Sequence, residues 1–97
     1  MRVIAEKAIK DFWISHPEAQ GALEAWLDHV KRAAYEKPED IQADYGPDVI
    51  LPRNRAVFNI KGNDYRIVVH VHYASQIVFI RFIGAHKDYD RINALTI

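Results

Sequence analysis

The chain has 97 residues, 49% hydrophobic and 27% charged, enough for one domain with a single core and too few for a second. It contains no cysteine, which excludes a disulfide framework and a thiolate metal site. Charges interrupt the opening MRVIAEKAIKDFW too often for a signal peptide, and no apolar run approaches the ~20 residues of a membrane span. A cytoplasmic domain over residues 1–97, with no membrane partner, is therefore expected. The net charge of zero conceals an asymmetry: residues 1–50 hold 10 acids and 6 bases, whereas residues 51–97 hold 3 acids and 7 bases.

In chain order, Val3 and Ile4 predict a short opening strand over Met1 to Ala5. Ala8, Ile9, Phe12 and Trp13 then fall on one face of a helix. Ser15-His16-Pro17-Glu18 reads as a capping box, with Ser15 as cap and Glu18 reaching back. It opens a second helix from about Pro17 to Tyr35, with Leu23, Trp26, Leu27, Val30 and Ala34 on its apolar face. Pro38 starts a third helix ending at Tyr45, supported by Glu39 and Asp40 in its first turn and stopped by Gly46-Pro47.

The period then changes. Asn54 to Lys61, Asp64 to Tyr73 and Gln76 to Ala85 are rich in Val, Ile, Phe and Tyr, which favour strands. The two-residue connections Gly62-Asn63 and Ala74-Ser75 permit only antiparallel hairpins. The fold class expected is α+β, with N-terminal helices on one face of a mostly antiparallel sheet and a C-terminal three-stranded meander.

Such short loops set the register, and the register decides which side chains share a face. Lys61 opposite Asp64 pairs Asn59 with Arg66, Val57 with Val68 and Arg55 with His70. Tyr73 opposite Gln76 sets His70 against Phe79 and Val68 against Arg81. One face then carries Ala56, Phe58, Ile60, Tyr65, Ile67, Val69, Val71, Tyr73, Val78, Ile80 and Phe82, and belongs against the helices. The other carries Arg55, Asn59, Lys61, Arg66, His70, His72 and Arg81 around Val57, Val68, Ile77, Phe79 and Ile83, with Asp64 as its one acid. By charge count alone this fits an ordinary solvated sheet face as well as a surface that grips a phosphate backbone.

No phosphate-binding Gly-rich loop, zinc-protease motif or nucleophile elbow occurs. His70 and His72 share a face but lack the third ligand a metal site usually needs, so no metal is expected. After the last strand comes Gly84-Ala85-His86-Lys87-Asp88-Tyr89-Asp90. His86 and Tyr89, three apart, share one side of a helical turn. An imidazole exchanges protons near neutral pH, and a tyrosine stacks on bases or donates a hydrogen bond. A plain C-terminal cap with Tyr89 packed and His86 exposed accounts for the same residues.

The blocks VFNIKGNDYRIVV and VFIRFIGAHKDYDRI, together with the opening MRVIAEKAIKDFW and its HPEA turn, resemble HigB toxins of the RelE-like mRNA interferase superfamily over essentially the whole chain. The resemblance implies ribosome-dependent endonucleolytic cleavage of mRNA without a metal or cofactor. It also implies a HigA-like helix-turn-helix antitoxin, through which alone the toxin would meet operator DNA. Carried across by position, Lys61 and Arg66 stand where such toxins place catalytic or phosphate-binding cations. His86 stands where they carry a basic or proton-transferring side chain, and Tyr89 at their C-terminal tyrosine. Asn59 departs from the pattern, since several relatives have a second lysine there, which leaves the general base open between Lys61 and His86. Arg55, Asn59 and Arg81 are the expected RNA or phosphate contacts. A non-catalytic RNA- or protein-binding module using the same face is the competing reading.

Overall fold

The computed structural model describes residues 1–97 and contains, in chain order, β1 (Arg2–Ile4), α1 (Glu6–Ser15), α2 (Gln20–Arg32), α3 (Pro38–Tyr45), β2 (Ile50–Leu51), β3 (Arg55–Ile60), β4 (Tyr65–His72), β5 (Ile77–Ala85) and α4 (His86–Tyr89). One sheet joins the strands in the order β1-β5-β4-β3-β2. β1 runs parallel to β5 and every other pairing is antiparallel, so the α+β class and the meander are as the sequence indicates. No helix is long and apolar enough to cross a membrane.

The core forms where the apolar stripe of the helices meets one sheet face. Ile9, Leu23, Trp26, Leu27, Val30 and Ile41 pack with Ala56, Phe58, Ile60, Ile67, Val69, Val71 and Val78. Phe58 anchors the contact, with the rings of Trp26 and Tyr45 edge-on to it at centroid distances of 5.2 and 4.8 Å. Fully burying one such side chain stabilises by about 1.5–3 kcal/mol.

The helix boundaries differ from the sequence reading at the first junction. Ser15 is the last residue of α1 rather than a cap, and no side-chain cap bond forms there. Pro17 lacks an N–H and cannot extend α1, so the chain makes a 3-10 turn over Pro17–Ala19 before α2. The Glu18 carboxylate accepts a hydrogen bond from the Tyr65 hydroxyl instead of folding back. α2 ends at Arg32, which leaves Ala34 exposed beyond it. α3 has the expected limits, closed by Gly46 at φ +94°, a conformation in which glycine has no steric penalty.

Both hairpins take the expected pairing at their turns. Asp64 N–H donates to the Lys61 carbonyl and Gln76 N–H to that of Tyr73. Asn59 pairs with Arg66, Val57 with Val68 and Arg55 with His70. The β4–β5 ladder departs from the expectation in its middle. His70 opposes Phe79 as predicted, but Val69 opposes Ile80 and Val68 opposes Phe82, with the register shifting between them. Arg81 is the extra residue of a β-bulge. Beyond it the alternation inverts: Phe82 stands on the cationic face and Ile83 turns to the core, the reverse of the predicted assignment.

Candidate active site

The cationic face of the sheet is set out in rows by the ladders. Asn59, Arg66 and Gly84 make one row. Two residues further along, about 7 Å for extended chain, Lys61 and His86 both adjoin Asp64. The Asp64 N–H donates to the Lys61 carbonyl, and the His86 N–H donates to the Asp64 carbonyl at 3.3 Å. Strands lie roughly 5 Å apart, so Lys61, Arg66 and His86 gather at one end of the sheet, where the β3–β4 hairpin meets the start of α4.

Arg66 is half-buried. Its guanidinium carbon lies 4.7 Å from the centre of the Tyr89 ring, a cation–π arrangement worth about 0.5–2 kcal/mol. Its Nε is buried without a hydrogen-bond partner, and none of the six ion pairs includes it. Lys61, at the hairpin tip with φ +54°, is exposed, its Nζ 3.8 Å from the Asp64 carboxylate. His86 Nε2 lies 3.6 Å from Asp90. Each proton-carrying candidate thus has an acid beside it, Asp64 for Lys61 and Asp90 for His86.

Gly84 and Phe82 shape the floor. The Phe82 ring folds over Gly84, so a Cβ there would meet its tip at 2.7 Å. Phe82 in turn faces Tyr89 with ring centroids 6.4 Å apart. The alternation of the sequence puts Phe82 in the core instead, because nothing local marks the bulge that brings it here. The centre of this face is also less open than its composition suggests, since Val68 is fully buried.

The remaining cations do not join the cluster. Arg55, four residues and about 14 Å along β3 from Asn59, donates to the carbonyls of Arg53 at 2.9 Å and Ile97 at 2.8 Å. Arg81 projects from the bulge and is exposed. His70 and His72 stand side by side, centroids 4.7 Å apart. Burial, followed by the charges of Arg55, His72 and Arg81, holds the His70 pKa below its ordinary value. No group of three or more His, Asp or Glu side chains gathers around them.

Asn59 and Arg66 also line a cleft of about 410 Å³ at the outer edge of β3, with Tyr45, Gly46, Pro47, Asp48, Val49, Val57 and Phe58. Gly46-Pro47, the stop of α3, builds this corner.

Comparison with known proteins identifies the family. A family model described as HigB toxin, the RelE-like toxic component of a toxin-antitoxin system, matches residues 19–92. The mRNA interferase toxin HigB of Escherichia coli strain K12 is 31% identical over 97 residues, covering 98% of this chain and 93% of that protein. The mRNA interferase HigB of Shigella flexneri gives the same figures. That of Escherichia coli O6:H1 is 21% identical over 94 residues, covering 95% and 91% of the two chains. With the family matched over most of its length and a relative of this identity aligned nearly end to end, the chain belongs to the HigB toxin family.

Proposed function

We propose that this protein is the toxin of a toxin–antitoxin pair and an endoribonuclease that cuts mRNA on the ribosome, using side chains rather than a metal ion or cofactor. Relatives named mRNA interferase support the substrate. The observation that carries the reading is Arg66: a half-buried guanidinium seated over Tyr89, with a donor lacking any partner, beside the two candidate proton carriers. An unsatisfied buried donor costs about 1–3 kcal/mol, and a phosphate oxygen is the acceptor best matched to a guanidinium.

In this mechanism the RNA 2′-hydroxyl attacks the adjacent phosphorus while Lys61 or His86 takes its proton. Arg66 binds the non-bridging oxygens as negative charge builds on them. The other proton carrier protonates the leaving 5′-oxygen as the P–O5′ bond breaks. The products are a 2′,3′-cyclic phosphate and a 5′-hydroxyl. Positioned proton transfer is worth roughly 10²–10⁴ in rate. Tyr89 orients Arg66 and offers its ring or hydroxyl to the substrate. Asn59 and the exposed Arg81 contact the backbone, whereas Arg55, already holding two carbonyls, contributes mainly charge. A HigA-like helix-turn-helix antitoxin neutralises the toxin and alone contacts operator DNA.

Inducible expression in growing cells, with and without the antitoxin, followed by mapping of mRNA ends, tests the proposal. Growth arrest with new 5′-hydroxyl ends inside translated frames is expected without the antitoxin only. Arrest with intact mRNA would favour the non-catalytic binding module instead.

A further inference from the structure

Residues 91–97, which follow α4, take no part in the helix–sheet core or in the cleavage mechanism. They leave α4 where the Tyr89 ring covers Arg66 and reach Arg55, whose Nη2 donates to the Ile97 carbonyl at 2.8 Å. Arg66 and His70 lie on the same side of β4, four residues or about 14 Å apart, and Arg55 pairs with His70. The segment therefore runs along the cationic face, past the Val57–Val68 pair that lies between. Val68 is fully buried although it belongs to that face, and residues 91–97 have the pattern of a cover. Ile92, Ala94, Leu95 and Ile97 are half-buried, whereas Arg91, Asn93 and Thr96 are exposed. A turn at Asn93 shapes the segment: the Leu95 N–H donates to the Asn93 side-chain oxygen at 3.0 Å and the Thr96 N–H to the Asn93 carbonyl at 3.1 Å.

The hold on Arg55 is incomplete. One Nη donates to the Arg53 carbonyl and the other to that of Ile97, but Nε is buried without a partner and no ion pair includes Arg55. An unsatisfied buried donor is unfavourable. The N–H groups of Nε and Nη2 point to the same side of a guanidinium, and a carbonyl there satisfies one of them. A phosphate offers two oxygens and accepts from both as a bidentate, charge-assisted pair. It would take the place that the Ile97 carbonyl now fills. His70 opposite Arg55, with His72 beside it, adds donors rather than acids to this end of the sheet. We propose that residues 91–97 are a displaceable strap, and that an RNA phosphate drives Ile97 off Arg55 to make a second phosphate site about 14 Å from Arg66. The inference rests on the RNA reading above and deepens it, since it extends the bound strand along the face beyond the cut.

The test reads binding rather than cutting. Its probe is a single-stranded RNA with 2′-O-methyl groups in place of the attacking hydroxyls, titrated at low salt, where phosphate contacts are strongest. Leu95→Ser loosens the strap while keeping every proposed site residue. It should bind about tenfold more tightly than wild type, because a larger share of molecules is already open and one charge-assisted contact is gained. Adding Arg55→Ala to Leu95→Ser should abolish that gain. A second measurement needs no loosened strap. The chain has no cysteine, so Thr96→Cys, at an exposed position, takes a single nitroxide label whose spectrum should sharpen as the RNA saturates the protein. Equal affinity in wild type and Leu95→Ser, a gain that survives Arg55→Ala, or a label unmoved by bound RNA would each overturn the strap and leave RNA cleavage standing. Absence of RNA binding by wild type and every variant would remove the RNA face and the strap together.

Discussion

A missing Cβ shapes the candidate site. Gly84 faces Arg66 across the ladder, and the Phe82 ring occupies the space its side chain would fill. Gly84→Ala must displace that ring, which packs beside Tyr89. We expect at least a tenfold fall in cleavage for a stability cost of about 1–3 kcal/mol, the usual range for overpacking. Cleavage assays paired with urea unfolding would check this, and unchanged cleavage would show that the ring's position is immaterial. Arg81 makes the opposite case. It is exposed on the bulge, so Arg81→Ala should change stability by no more than ~0.5 kcal/mol. It should also reduce the log–log salt slope of RNA binding by about one unit, measured by titration at several salt concentrations. An unaltered slope would take Arg81 off the RNA path. These residues also show where the sequence is silent. Hairpin pairing was legible from Gly62-Asn63 and the alternation around it. The bulge was not, because no glycine or turn residue adjoins Arg81 and apolar residues fill both faces around it, and the inversion of Phe82 and Ile83 follows from it.

Among the elements, α2 and α3 are clasped by a carboxylate outside the candidate site. Asp44 accepts from the Tyr35 hydroxyl at 2.8 Å and lies 3.1 Å from His29 Nε2. These bonds, Tyr35's first, hold the Asp44 carboxyl below its ordinary pKa. Burial, then Asp44, pushes the Tyr35 hydroxyl well above its own, and burial raises Tyr45 to about 12. A carboxyl whose pKa is depressed by folding stabilises fully above its unfolded value, about 3.9, and loses that contribution as pH falls through the folded value. The urea midpoint should therefore drop more steeply below about pH 5 for wild type than for Asp44→Asn. Parallel curves would mean the clasp carries no acid-dependent stability. The ends of α3 were legible because Pro38 and Gly46 act through their own backbones. The start of α2 was not legible, because the capping pattern depends on what else competes for Glu18, and Tyr65, 47 residues away, takes it. β2 left no trace, since two residues are too few to show a period.

At the scale of the molecule, the charge asymmetry of the sequence becomes a spatial one. The acid-rich first half forms the helices on one side of the sheet, and the base-rich second half supplies the cations of the other. Helices followed by strands made the layered architecture legible, whereas the partial cover over Val68 and the cleft behind Arg66 arise from long-range packing that no local pattern records. The fold stands on the helix–sheet core, so Leu23→Ala, fully buried in α2, should cost about 2–5 kcal/mol by chemical denaturation. A cost below 1 kcal/mol would mean that α2 is not essential to the core. Arg66→Ala, by contrast, should spare the fold and remove the chemistry. Purified ribosomes programmed with a defined mRNA, with single-turnover cleavage timed for wild type and Arg66→Ala, give the most direct test. The expected result is a loss of about 10²–10³ in rate, as for removal of one charge-stabilising donor, with the variant's circular dichroism unchanged. Cleavage by Arg66→Ala at the wild-type rate would contradict the assignment of this sheet face as the active site.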